Sequence, residues 1–449
     1  MYSLPVLLFF LLNGVFQLLA APLLHKVIIP ALLVIGAAIS YQSLFFNIYF
    51  DKHMLTNVLI TGWAESSRLM TPAYLGWIAV LGVVPALLYL MVKVDYRRWY
   101  KEIAQRAVLI VLSVLVIGGV ARYFYQDYAS FFRNNRDVTH LIVPSNLIVA
   151  GGSKLKTWHR ARMPYMQLDL AVTQAKPDNH RHFVVLIVGE TTRAQNWGLN
   201  GYARQTTPRL AKRGDEVINF HDVSSCGTST AHSVPCMFSN MNRVGYNDAR
   251  AARQDNLLDI LQRAGVDISW LDNDTGCKGV CKNVAATVDL TALNLPEFCR
   301  NGECLDDILL PAFDEILNKE SGKDTLVVLH TMGSHGPTYY ERYTAEDRTF
   351  TPTCDTNEIN RCSKEQLVNN TIVYVDRFID RVIGRLEKRD DLESAVLYVS
   401  DHGESLGENG VYLHGTPYGI ATKEQTQVPM IMWFSKAFRQ NEGVDFQCL

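Results

Sequence analysis

Apolar positions are distributed unevenly along this chain. Up to about Tyr125 they form long unbroken runs, about Leu4–Leu23, Val27–Phe46, Tyr74–Val92 and Ala107–Tyr123. Each approaches the roughly 20 residues needed to cross a bilayer. Four such runs in succession, with few charges inside, predict membrane helices rather than buried core helices. Beyond His182 the pattern changes, and short β-branched runs alternate with amphipathic stretches. The spacing predicts strands at Phe183–Val188, Val266–Leu271, Thr325–His330, Ala395–Ser400 and Pro429–Phe434. It predicts helices at Asn256–Ala264, Leu305–Asn318 and Lys364–Lys388. Such alternation implies an α/β fold whose mainly parallel sheet is covered on both faces. The expected organisation is a transmembrane helical domain over 1–125, a connector over 126–181 and a soluble domain over 182–449. Within the connector, "IVAGGSKLKTWHRAR" reads as a basic hinge at a lipid surface.

Charge orients these parts. The chain has 449 residues and a formal charge of −2, which offers no electrostatic case for nucleic acid. Lys93, Arg97, Arg98, Lys101 and Arg106 cluster between the third and fourth runs, so that loop is expected in the cytoplasm. The fourth helix then delivers the soluble domain to the outer side. Counting back, Met1 starts outside as well, so a further helix upstream is expected. All nine cysteines lie in the soluble part. Cys226 and Cys236, Cys277 and Cys281, Cys299 and Cys304, and Cys354 and Cys362 form close sequential pairs, while Cys448 has no obvious partner. Disulfides in an oxidising compartment suit this usage better than zinc knuckles do.

Parallel α/β sheets gather their chemistry at the carboxyl ends of the strands. Here Glu190 follows the first strand and Asp272–Asp274 the second. "HTMGSHG" closes the third and "SDHGE" the fourth. Asp401-His402 and Glu190 suit zinc, although each taken alone reads better as a solvated loop residue. A hydroxyl would complete the set. "SSCGTSTAHSVPCMFS" supplies Thr228, Ser229, Thr230 and Ser233 between two cysteines that can staple the loop. Residue chemistry alone does not choose among them.

Four ordered stretches carry a resemblance. "GETTRAQNWGLNGYARQTTPRL", "SCGTSTAHSVPCMFS", "HTMGSHGPTY" and "SDHGESLGENGVYLHG" resemble the phosphoethanolamine transferases of Gram-negative inner membranes. The nearest group is the lipid A transferases that include the mobile colistin-resistance enzymes. The resemblance implies an alkaline-phosphatase-like α/β/α domain on a membrane anchor. It implies zinc held by Glu190, Thr230, Asp401 and His402, with Thr230 as the nucleophile. A second zinc is allowed. His335 and His414 match residues that bind phosphate or that second zinc. Lys278 matches a basic residue facing the substrate phosphate, Thr275 a nearby hydroxyl and His330 another pocket histidine, although Asp274 stands where some relatives carry asparagine. Asn57, Thr61 and Glu65, spaced i, i+4, i+8, fall on one helix face and match the region that holds the ethanolamine head group. The implied donor is phosphatidylethanolamine and the implied acceptor lipid A, in a multi-pass inner-membrane monomer with a periplasmic catalytic domain. Resistance to cationic peptides such as polymyxin would follow. Family members have five membrane helices and continue further beyond "VPMIMWF". A first helix and a C-terminal strand are therefore expected to be missing here.

Three alternatives are weaker. A sulfatase needs Cys or Ser followed by x-Pro-x-Arg, and "SVPCM" has Met237 at the arginine position. A lipoteichoic-acid-type glycerophosphate transferase would lack the dense cysteine pairs. A metal-dead membrane sensor would have a broken ligand set, and all four expected ligands are present. Core heptose, Kdo and periplasmic glucan stay open as acceptors.

Overall fold

A computed structural model describes residues 3–21, 23–48, 50–134, 146–147, 150–152, 164–174 and 181–442. Most of "IVAGGSKLKTWHRAR", and Cys448, lie outside the described residues. The chain divides into two compact units. The first comprises 1–45, 49–51 and 70–151, and the second 46–48, 52–69 and 152–449.

The first unit is helical. It contains α1 (Leu4–Leu19), most of α2 (Leu24–Phe46), and, further along the chain, a helix over Pro72–Met91 (α5) and one beginning at Trp99 (α6). Among the described residues, Leu24–Phe46, Pro72–Met91 and Trp99–Phe124 are long and apolar enough to cross a membrane. The expected first crossing differs: α1 has only 16 residues. That is about 24 Å at 1.5 Å per residue, less than a hydrocarbon core of about 30 Å. The chain turns out of the helix at Ala20, and Leu23 adopts a φ of 67°. Gly82 lets two of the longer helices approach. A Cβ there would lie 3.0 Å from Val34 Cα and 3.1 Å from Ala37 Cβ. Small residues at helix contacts permit such closeness where water provides no hydrophobic drive.

The second unit opens with α3 (Lys52–Ile60) and α4 (Trp63–Arg68). Its strands are β1 (His182–Gly189), β2 (Val217–Phe220), β3 (Asp267–Asp272), β4 (Ala286–Asp289), β5 (Cys299–Arg300), β6 (Glu303–Cys304), β7 (Thr325–His330), β8 (Glu393–Ser400), β9 (Ser405–Glu408), β10 (Val411–Leu413) and β11 (Met430–Phe434). Among the described residues, seven form one sheet in the order β2-β11-β8-β1-β7-β3-β4. β8, β1, β7, β3 and β4 run parallel. The last expected strand, β11, instead pairs antiparallel with β8 and β2, so one side of the sheet is mixed.

Central strands read as continuous apolar runs because helices cover both faces. β7, "TLVVLH", is buried at all six positions. Against one face pack α9 (Leu309–Leu317) and α10 (Asn369–Leu386), with Phe313, Val375, Ile379 and Val382 fully or nearly fully buried. Against the other pack α7 (Thr230–Met237) and α8 (Leu257–Arg263), through Val234, Phe238, Leu258 and Trp270. Two expected helices are subdivided. Leu305–Asn318 begins with a 3₁₀ turn over Asp306–Ile308, and Lys364–Lys388 breaks at Val368. β2 and β4, four residues each and partly solvated, carry too short a pattern to stand out in the sequence.

Candidate active site

β1, β3, β7 and β8 all end on one edge of the sheet, and the acidic and imidazole side chains converge there. Glu190 follows β1, and Asp401-His402 follows β8, whose register places Ser400 beside Gly189. The Asp401 amide donates to the Gly189 carbonyl at 2.9 Å, tying the two strand ends together. Thr230 is the first residue of α7. Its Oγ1 lies 3.0 Å from Glu190 Oε2 and 3.4 Å from His402 Nε2. His402 Nε2 is also 3.2 Å from Glu190 Oε1 and 3.6 Å from Asp401 Oδ2.

Glu190, Asp401 and His402 are all completely buried. His402 Nδ1 lies 2.9 Å from the Gly403 carbonyl oxygen, which can only accept a hydrogen bond, so Nδ1 carries the hydrogen. That contact leaves Nε2 as the donor atom facing the carboxylates. Glu190 Oε1 and Asp401 Oδ2 have no hydrogen-bond partner among the described residues. Buried carboxylate oxygens without partners are costly, and a cation at this point satisfies them. Burial pushes both carboxyls up. For Glu190 the neighbouring His402, with His335 and His414, outweighs burial and holds it below the ordinary carboxylate range. For Asp401, burial and the adjacent Glu190 act together and raise it well above that range. Glu190, Asp401 and His402 thus form a group able to hold a metal ion.

The loop before α7 separates the two threonines that sequence alone left equivalent. Cys226 and Cys236 are bonded across it. Thr228 Oγ1 donates to the Thr416 carbonyl at 2.6 Å, so its hydroxyl is committed to the backbone. Thr230 points its hydroxyl at Glu190 instead. The other three expected pairs, Cys277–Cys281, Cys299–Cys304 and Cys354–Cys362, are bonded as well.

Around this centre lie the remaining candidates. The ring of His414 is 4.7 Å from that of His402 and 5.2 Å from that of His335. Glu404 Oε1 holds His414 Nδ1 at 2.9 Å, and Tyr339 donates to Glu404 Oε2 at 2.5 Å. Glu404 went unassigned in the sequence, although it ends the "SDHGE" segment. On the other side His330 Nδ1 lies 3.1 Å from Asp272 Oδ2. Burial opposes its protonation, but Asp272 outweighs burial and raises its pKa to about 9. The Asp272 carboxylate thus favours the protonated form of His330. Asp274 sits 3.3 Å from Lys278 Nζ, and Lys278 also donates to Thr275. The acid in this position is thus neutralised internally. Donor atoms of Glu190, Asp274 and His330 also lie within 4.8 Å of one another.

Asn57, Thr61 and Glu65 do not share one helix. Gly62, extended at ψ 165°, separates α3 from α4. Thr61 Oγ1 is turned back to the Asn57 carbonyl at 2.7 Å. Glu65 still reaches the site, with Oε1 3.5 Å from His335 Nε2. Asn57 Nδ2 would lie 3.9 Å from a Cβ on Gly415, next to His414.

Gly333 holds β7's exit loop against Glu190. It adopts a φ of +52°, and a Cβ there would lie 2.5 Å from the Glu190 carbonyl oxygen. Because backbone opposes backbone, neither side can yield cheaply. Gly333→Ala is expected to cost on the order of 1–3 kcal/mol and to displace Glu190. Thermal unfolding and turnover of the purified variant check this, and wild-type values for both would refute it.

Comparison with known proteins follows the same division of the chain. Residues 182–445 match the Sulfatase family, and residues 8–158 match the family described as Phosphoethanolamine transferase EptA/EptB. The sequence is 45% identical to Phosphoethanolamine transferase EptA of Escherichia coli (strain K12), over 100% of this chain and 82% of that protein. It is 41% identical to Phosphatidylethanolamine transferase Mcr-1 of Escherichia coli, over 92% of this chain and 78% of that one. The fold is similar to integral membrane protein lipooligosaccharide phosphoethanolamine transferase A from Neisseria meningitidis. There the TM-score is 0.94 at 65% identity, covering 100% of this chain and 84% of that one.

Proposed function

The chain belongs to the phosphoethanolamine transferase family, and from that membership we propose that it moves phosphoethanolamine from phosphatidylethanolamine to a phosphate of lipid A through a covalent adduct on Thr230. It is an inner-membrane protein with its catalytic domain in the periplasm. Residues 1–125, apart from 46–48 and 52–69, serve as the membrane domain, 126–181 as connector, and 182–449 together with 46–48 and 52–69 as the catalytic domain. The observation that carries the mechanism is the Thr230 hydroxyl, 3.0 Å from Glu190, beside buried carboxylate oxygens without partners.

Zn²⁺ held by Glu190, Thr230, Asp401 and His402 would supply a lowered hydroxyl pKa and neutralisation of phosphoryl oxygens. The chain's own groups do the rest. His330 and Lys278, held by Asp272 and Asp274, offer hydrogen-bond donors to the anionic phosphodiester. The Glu65 carboxylate, beside His335, faces the ammonium of the ethanolamine head, with Asn57 nearby, while the Thr61 hydroxyl stays committed to the Asn57 carbonyl. The Thr230 hydroxyl releases its proton to solvent and its oxygen forms a bond to phosphorus while the bond from phosphorus to diacylglycerol oxygen breaks. His414, oriented through Nδ1 by Glu404, hands a proton to that departing oxygen. In the second half an oxygen of the lipid A phosphate bonds to phosphorus, the bond from phosphorus to the Thr230 oxygen breaks, and that oxygen takes a proton back from solvent. Splitting the transfer lets two bulky lipids visit one site in turn. The added amine lowers the negative charge of the envelope surface, and binding of cationic peptides falls accordingly.

Mass spectrometry of lipid A from cells expressing the chain tests the reading. Lipid A gaining phosphoethanolamine is the expected result. Unmodified lipid A together with a modified core sugar or glucan would reassign the acceptor.

A further inference from the structure

Helix α4 has only six residues, too few to hold its own shape in water. Its last residue, Arg68, is nevertheless buried, at 9% exposure. The β5–β6 hairpin accounts for both facts. Asn301 and Gly302 adopt φ of 55° and 83°, the pair of positive values that a two-residue Asn-Gly hairpin turn requires. The Cys299–Cys304 bond closes this hairpin. A Cβ on Gly302 would lie 3.1 Å from Ala64 Cβ, so the turn rests directly on α4.

From this hairpin Glu303 Oε2 reaches two guanidinium groups, Arg68 NH2 and Arg342 NH1, each at 2.9 Å. Arg68 NH1 also pairs with Glu341 and donates to Thr338 Oγ1 at 3.2 Å. The Arg68 carbonyl accepts from Asn357 Nδ2 at 2.6 Å. Arg342 Nε donates to the His335 carbonyl at 2.9 Å. One chain of contacts therefore runs from the end of α4 through Glu303 and Arg342 to the backbone of His335. One turn earlier on α4, Glu65 faces the side chain of that same histidine.

We infer that the disulfide-closed hairpin is a clamp for α4, and that Arg68 is a positioning residue for the donor lipid, acting through Glu65. Two arginines and two glutamates balance in charge, and removing one leaves a buried partner uncompensated. Only a planar fork reaches Glu303, Glu341 and Thr338 together, which a lysine ammonium cannot do. The inference rests on the proposed donor, since the ammonium of its head group is what Glu65 would hold.

The test uses the zinc-loaded full chain in detergent. Diacylglycerol release from phosphatidylethanolamine is compared with turnover of bis(4-nitrophenyl) phosphate, a soluble phosphodiester without an amine. For Arg68→Met the expected result is a KM for the lipid raised about ten-fold, kcat within about two-fold, and soluble diester turnover within about two-fold. Arg68→Lys should fall between this and wild type. Adding Arg68→Met to Glu65→Gln should worsen KM little beyond Glu65→Gln alone, because one residue acts through the other. An unchanged lipid KM in Arg68→Met overturns the inference, and so does an equal loss on both substrates. A wild-type chain that turns over the soluble diester but releases no diacylglycerol would instead sink the functional reading. The clamp is then decided by amide hydrogen exchange. Faster exchange confined to residues 52–69 in Arg68→Met or Glu303→Gln supports it, and unchanged protection there overturns it.

Discussion

Thr230→Ala is expected to abolish transfer, by about 10³-fold or more, and to remove the covalent adduct with it. The hydroxyl is the only group of this side chain that can bond to phosphorus, and it lies 3.0 Å from Glu190 Oε2 and 3.4 Å from His402 Nε2. Thr230→Ser keeps an oxygen in place and should keep part of both activities. Thr228→Ala should do less harm. Its hydroxyl donates to the Thr416 carbonyl, so its loss costs about 1 kcal/mol of loop stability rather than the nucleophile. Intact-mass and peptide analysis after incubation with phosphatidylethanolamine and no acceptor reads all three variants. An adduct on Thr228 or Ser229 would move the nucleophile. Full transfer by Thr230→Ala would exclude the covalent route.

Glu190→Gln should lose bound metal and fall in rate by about 10²-fold or more. The amide keeps the shape but removes the charge that a cation needs, in a pocket with no exposure. Metal content by elemental mass spectrometry separates this from a fault confined to chemistry, and wild-type zinc content in the variant would remove Glu190 from the ligand set. A pH dependence follows from Asp401. Without a cation its carboxyl is raised well above the usual range by burial and by Glu190. The metal-free fold therefore holds a proton there that the unfolded chain releases, and its stability declines as pH rises past the ordinary carboxylate range. A bound cation replaces that proton, so metal affinity should rise with pH. The gap in thermal midpoint between metal-loaded and chelated protein should accordingly widen from about pH 6 to about pH 8. A gap that narrows with rising pH would contradict this assignment.

Much of the site was visible because parallel strands must place their exits on one edge. Glu190, Asp272, His330 and Asp401 each stand at the end of a short apolar run, and a doubly covered sheet brings those ends together whatever the loops do. The partners that aim these groups were not visible. Glu404 orients His414 from two residues beyond His402, and Asp272 favours the protonated form of His330 across a strand pair. Neither spacing has a period that a sequence displays. The break at Gly62 was hidden for a related reason: i, i+4, i+8 spacing looks the same whether one helix carries it or two short ones do.

Local chemistry alone was enough to establish an apolar helical part joined to an α/β part, the four cysteine pairs and the strand-end residues. Each follows from hydrophobic period, residue type or short separation along the chain. Whether Thr228 or Thr230 turns its hydroxyl to Glu190, how β11 runs, where α1 stops and what buries Arg68 were decided only in the folded chain. Thr228 is committed to a carbonyl 188 residues away. Arg68 meets a carboxylate on a hairpin at 299–304. Such contacts depend on the direction in which distant backbone segments arrive, and that direction is set by packing across the whole sheet rather than by neighbours in sequence.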